Sequence, residues 1–204
     1  MTGKQNLLGV IARRKKLFGV GINDADYVVR GKTWTCLYFQ RWKGMLSRCY
    51  GKAKTKNDIA YKDCYVCEEW LTFSNFKKWM EQQNWQGKQL DKDILVPGNK
   101  EYGPNTCIFV SQELNHILIC QMSKKSSTPS GVVLNGNRYE VQIARHGKGR
   151  YIGSFETVEE ASRVYKKLKY EYLLEWANNL TSEDTSDIKR TKEGLIRHSG
   201  LLLG

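Results

Sequence analysis

The residues that could do chemistry crowd into the middle of the chain. Asp91 and Asp93 bracket Lys92, Asn105 follows a Tyr-Gly-Pro turn, and Asn115 stands directly before His116. Carboxylates lying between basic blocks could hold a metal ion against a phosphate. Lys92 is a different instrument: with an ordinary pKa near ~10.4 it stays protonated, so it can stabilise charge on a phosphate but makes a poor base. Cys64-x-x-Cys67 is half of a zinc knuckle. Neither Cys36 with Cys49 nor Cys107 with Cys120 has the two-to-four spacing to complete it, so structural zinc is not expected. No phosphate-cradling glycine loop and no Gly-x-Ser-x-Gly elbow occurs.

Charge narrows the class of partner. The chain has 204 residues, with 33 Lys plus Arg against 21 Asp plus Glu, a net charge of +12. Residues 1–57 hold 13 basic and 2 acidic side chains, residues 58–123 hold 6 and 9, residues 124–178 hold 10 and 6, and residues 179–204 hold 4 and 4. Two basic blocks thus flank a mildly acidic centre, a distribution suited to a phosphate backbone. At 40% hydrophobic and 26% charged the composition is that of a folded domain or two. No apolar run reaches the roughly 20 residues of a bilayer span, and no leader pattern opens the chain, so the expectation is a cytoplasmic protein with reduced cysteines and no membrane partner.

The elements that must position these residues follow from periodicity. Residues 1–34 show no convincing period and carry Arg13, Arg14, Lys15 and Lys16; they read as a basic arm lying over protein or nucleic acid. Tyr38, Trp42, Met45, Leu46 and Cys49 mark an amphipathic helix within 35–50, and Trp70, Phe73, Phe76 and Met80 mark a second, capped by Thr72 or Ser74. Leu90 to Val96 predicts a strand, Pro97-Gly98-Asn99 a turn, Asn105 to Val110 a second strand, and Ser111 the cap of a helix over 112–120. Residues 123–130 are a small-polar linker. Beyond it, Val132-Val133, Arg138 to Ala144 and Arg150 to Phe155 predict three strands joined by Asn-Gly-Asn and His146-Gly-Lys-Gly turns. A helix begins at the capping box Thr157 to Glu160, and residues 179–204 read as a polar tail. The fold class expected is α+β, a strand-loop-strand-helix unit with flanking helices followed by a three-stranded antiparallel sheet on one helix.

Two stretches resemble known families. Gly131-Val132, Arg138-Tyr-Glu-Val-Gln-Ile143, Tyr151-Ile-Gly-Ser-Phe-Glu-Thr157, Glu159-Glu160-Ala161 and Tyr165 resemble the ethylene-response-factor type of DNA-binding domain, also found in phage and mobile-element endonucleases. That resemblance implies a sheet laid in the major groove, with Arg138, Gln142 and Tyr151 on matched strand positions and Arg150 beside the last. Hairpin chemistry adds Arg145 and Lys148. Ala144 stands where the plant domains carry an arginine. Upstream, Trp42-Lys-Gly-Met-Leu-Ser-Arg-Cys-Tyr50, Val66-Cys-Glu-Glu-Trp70, Leu90-Asp-Lys-Asp93 and Tyr102-Gly-Pro-Asn-Thr-Cys-Ile-Phe-Val110, followed by Asn115, resemble the phage group of HNH endonucleases. Residues 35–122 are thereby expected as a nuclease domain with a ββα-metal core, and 131–178 as the DNA-binding domain.

Hydrolysis of a phosphodiester needs metal ligands, a base for water and a group that orients the base. The second resemblance implies Asp91 and Asn115, 24 positions apart, as metal ligands and Asn105 as the residue that steadies the loop. Hard oxygen ligands suit Mg²⁺ or Mn²⁺. Many HNH enzymes carry histidine where Lys92 stands, so Lys92 would stabilise charge while Asp93 or His116 handles the proton; on a helix His116 points about 100° away from Asn115. The function expected is metal-dependent cleavage of duplex DNA in a bacterial host cell. An inactive DNA-binding regulator of the same architecture and a phage protein acting on a host protein are the alternatives. A homodimer is compatible with both.

Overall fold

The computed structural model describes residues 14–51, 61–119, 128–145 and 148–203. It is a mixed α+β structure, and the chain divides into two compact units. Met1–Asn84 with Asn99–Cys107 forms the first, and Trp85–Gly98 with Ile108–Gly204 the second.

In the first unit α1 (Leu37–Tyr50) and α2 (Phe73–Glu81) bury their apolar faces around Trp42, Trp70, Phe73 and Phe76, which lie tilted or edge-on to one another. Trp42 is fully buried, and its indole N–H donates to Trp70 O at 2.7 Å, so the ring is fixed at both its apolar and its polar end. Thr72 holds the N-cap position of α2 without a side-chain cap bond. The exposed N–H of Ser74 is satisfied instead by Asp24 Oδ1 at 2.9 Å, from fifty residues earlier. A short parallel pair, β1 (Tyr65–Val66) with β3 (Glu101–Tyr102), joins distant parts of this unit.

The expected basic arm is in part a structural element here. Ile22 exchanges backbone bonds with Leu71 and Phe73, Ala25 and Val29 are buried, and a Cβ on Gly21 would lie 2.4 Å from Leu46 Cδ1. Residues 1–13, Arg13 among them, lie outside the described residues.

In the second unit β2 (Gln89–Asp91) pairs antiparallel with β4 (Ile108–Val110), Leu90 facing Phe109. The helix α3 (Gln112–Ile119) follows at once, its first turn capped by Ser111 Oγ accepting from Leu114 N–H at 3.2 Å. Strand β2 is shorter than the expected run to Val96, because Asp91 Oδ1 accepts the N–H groups of Asp93 and Ile94, each at 2.8 Å, and turns the chain. Strand β4 starts at Ile108, not Asn105, because the N–H groups of Thr106 and Cys107 both bond back to Gly103 O.

Strands β5 (Val132–Asn135), β6 (Arg138–Arg145) and β7 (Lys148–Phe155) form the antiparallel sheet in that order. Gly136 has φ 58° in the tight turn between the first two, a conformation that glycine adopts without strain. The register slips between Val141, opposite Gly153, and Gln142, opposite Tyr151, leaving Ile152 as the extra residue of a bulge.

The helix α4 (Val158–Asn179), capped by Thr157 Oγ1 on Glu160 N–H, serves two cores. Its first half, Ala161 and Tyr165, packs with Val132, Val141 and Ile143 of the sheet. Its second half, Tyr172, Leu173 and Ala177, packs with Ile94, Leu95, Ile108, Val110, Leu114 and Ile117.

Residues 179–204 are not a polar tail. Ile188–Leu203 is a helix, α5, begun by Asp187 Oδ1 accepting from Arg190 N–H, and its Leu195 is fully buried in the second of those cores. The linker expected at 123–130 lies outside the described residues except for 128–130. The division of the chain also differs from a cut at that linker, because α4 carries the sheet and the β2–β4–α3 layer in one unit.

Candidate functional site

Asp91 ends β2 with its side chain 8% exposed, both backbone N–H bonds falling on Oδ1. Burial, and secondarily the neighbouring Asp93 carboxylate, pushes its pKa up to about 6. Lys92 is 4% exposed, and its Nζ donates to Asp93 Oδ1. Asp93 keeps a third of its side chain in solvent. The three residues therefore form a turn that carries one buried carboxylate and one ion pair.

This turn is held from behind by an element not expected from the sequence. Helix α5 grips it at three consecutive residues: His198 Nε2 donates to Asp93 O at 2.8 Å, the Arg197 guanidinium donates twice to Leu95 O, and a Cβ on Gly194 would sit 2.2 Å from Ile94 O. A carbonyl only accepts, so His198 carries its proton on Nε2, and burial holds its pKa below the usual range. These are positioning groups that the sequence reading missed. The signal was faint because the buried face of α5 is largely polar, with Thr191, His198 and Ser199 beside Leu195.

Asn115 is half-buried on α3, a helix packed against β2, in the same unit as Asp91. The C-terminal end of α3 is tied down by Lys169, 2% exposed, whose ammonium donates to Ile117 O at 2.7 Å. His116 is exposed, and Asn105 is exposed on a turn of the first unit.

A buried carboxylate and a helix-borne amide are hard oxygen donors and fit Mg²⁺ or Mn²⁺ in kind. Among the described residues no three His, Cys, Asp or Glu side chains converge so as to hold a metal, so a cation at Asp91 would keep most of its water. Among the described residues Cys36, Cys49, Cys64, Cys67 and Cys107 stand outside any disulfide, and burial raises the pKa of Cys67.

The residues expected to meet DNA separate into groups. On the open face of the sheet Gln142 sits directly across from Tyr151, which is 60% exposed. Arg138 on that face is braced, its guanidinium donating to Ser154 Oγ at 2.9 Å and Ser154 O at 3.0 Å and lying 3.7 Å from Glu156. Arg150 and Lys148 are exposed on the outer strand, in register with Ile143 and Arg145. Arg145 differs from expectation. It shares the helix-facing side with Val141 and Ile143, lies over the Tyr172 ring at 4.9 Å, and pairs with Glu175 at 3.4 Å.

In the first unit Arg14 donates to Asn23 O and Ala25 O and so folds its own segment, while Lys15 and Lys16 are exposed. Among the described residues no helix is long and apolar enough to cross a membrane. No protein-family model, curated protein or solved structure matches the chain.

Proposed function

We propose that the chain is a DNA-binding protein with a metal-dependent, HNH-like phosphodiesterase site of ββα form, built on β2, β4 and α3, and that it acts on duplex DNA. The observation that carries this reading is the buried carboxylate of Asp91, anchored by two backbone N–H groups at the end of a strand, on an antiparallel pair followed directly by the helix bearing Asn115. A buried group costs solvation, and its retention beside another carboxylate is characteristic of functional sites.

Asp91 and Asn115 would hold Mg²⁺ or Mn²⁺, which would supply charge neutralisation at the phosphate and a water of lowered pKa. Lys92 would stabilise the charge that builds on the phosphate under attack as the sugar oxygen leaves, and Asp93, the solvent-reaching partner of that lysine, would take the proton of the attacking water. His116 and Asn105 are not needed for this assignment. The open sheet face, with Arg138, Gln142 and Tyr151, meets the duplex, while the exposed edge-strand Lys148 and Arg150, which project toward the other face beside Arg145 and Ile143, add backbone contacts from the rim, and Lys15 and Lys16 add further ones.

Supercoiled plasmid incubated with the protein and Mn²⁺ or Mg²⁺ should be nicked by the wild type and left intact by D91A and N115A. Undiminished cleavage by both variants would remove these residues from the site. A second reading, a DNA-binding regulator that does not cleave, is favoured by the Lys92–Asp93 ion pair, which occupies the two groups nearest Asp91 in the chain. It requires a plasmid that is bound yet uncut by the wild type under every divalent cation.

A further inference from the structure

The first unit carries a tight hairpin that neither the sheet nor the Asp91 turn explains. Cys36 N–H donates to Val29 O at 2.8 Å, Gly31 N–H donates to Trp34 O at 2.9 Å, and Arg30 pairs with Thr35 in antiparallel fashion. Val29 is buried and roots the hairpin in its unit, whereas the tip turns outward with Arg30 and Lys32 exposed.

Trp34 at that tip is 53% exposed, a large apolar area to leave in water. Its indole is nevertheless held in place. A Cβ on Gly31 would lie 2.3 Å from its Nε1 and 2.8 Å from its Cδ1, so the ring rests on the bare glycine backbone. One face of the ring is thus covered by the turn and the other is open.

The surrounding charge indicates what covers the open face. Between Asp26 and Asp58 the chain has eight basic residues and no acidic one. Among the described residues neither Arg30 nor Lys32 forms an ion pair. A flat aromatic ring flanked by two exposed cations matches a base between two phosphates, since stacking accepts any base and the cations accept any backbone. An apolar protein partner would gain nothing from the flanking charge.

We propose that the hairpin tip, Gly31 to Trp34, is a second DNA contact, in which the open face of Trp34 stacks on an unpaired base while Arg30 and Lys32 hold the adjoining phosphates. The proposal rests on the reading of the chain as a DNA-binding protein and specifies the DNA structure it prefers: duplex interrupted by an unpaired nucleotide. Trp34 and the two cations act separably, one through stacking and the others through counterion release.

Fluorescence anisotropy with a labelled duplex, and with the same duplex carrying a short unpaired bulge, tests this. The wild type should favour the bulged DNA by roughly tenfold. W34L should lose that preference while keeping its affinity for paired duplex. R30Q/K32Q should weaken binding to both and lower the slope of log affinity against log salt by about two. An undiminished bulge preference in W34L, or none in the wild type, overturns the role of Trp34 alone. Absence of salt-dependent binding to either DNA overturns the nucleic-acid reading itself.

Discussion

Asp91 concentrates the cost of the site in one side chain. Its folded-state pKa, about 6, lies above the ordinary value near ~3.9, so between those limits the folded protein binds more protons than the unfolded chain. The sign follows directly: stability declines as pH rises from about 4 to about 6 and stays reduced above it, by roughly 3 kcal/mol if this group acted alone. Asparagine keeps the oxygen that accepts the Asp93 and Ile94 N–H groups and discards the buried charge. In metal-free protein D91N should therefore raise the Tm at pH 8 and converge on the wild type near pH 4, followed by thermal unfolding across that range. An unchanged Tm at pH 8 would mean that the carboxylate is not strained. His198 acts with the opposite sign. Burial holds it neutral in the fold, so its contribution is present above about pH 6.5 and is lost below that value, where the unfolded chain takes up a proton. H198Q should accordingly flatten the acid side of the stability profile.

Helix α5 is the element that holds the Asp91 turn, and Gly194 leaves no room for a side chain between the two. An alanine there would place its Cβ 2.2 Å from Ile94 O, a backbone atom that cannot swing aside, so helix and turn must part. G194A should cost about 1–3 kcal/mol in denaturant unfolding and should impair the Asp91 site more than a surface change such as K192A does. Equal stability would show that the helix rides loosely on the turn. The elements with strong periodicity or turn chemistry were legible from sequence: α1, the Thr157 N-cap of α4, and the sheet with its Asn-Gly-Asn turn all occur within a few residues of expectation. What escaped was decided by side chains bonding to backbone. Asp91 cut β2 short through its own carboxylate, and Asp24 capped α2 from far away in the chain. Helix α5 hides its inner face behind Thr191, His198 and Ser199, whose polar groups are satisfied by the Thr185 hydroxyl at 2.7 Å, by Asp93 O and by Ile196 O. The stretch therefore reads as a polar segment in the sequence although Leu195 within it is fully buried.

At the scale of the whole molecule, the +12 charge resolves into separate tasks. Arg14 is spent on folding and Arg145 on packing, while Lys15, Lys16, Lys148 and Arg150 remain exposed. Truncating the arm to test its charge would remove Gly21, Ala25 and Val29 from the packing of the first unit, so charge removal is the cleaner probe. K15Q/K16Q should leave the fold intact and lower the salt slope of duplex binding by about two. In the second unit the single helix α4 joins the sheet to the Asp91 layer, so a duplex bound as proposed by Gln142 and Tyr151 would have a fixed bearing on the candidate site. The most direct test of the central claim is nicking of supercoiled plasmid in Mn²⁺ by the wild type beside D91N, with the Tm of both recorded. D91N is the informative variant because it is expected to be at least as stable as the wild type at pH 8. The account predicts nicked circles with the wild type and intact supercoils with a fully folded D91N. Equal nicking by a folded D91N would contradict it.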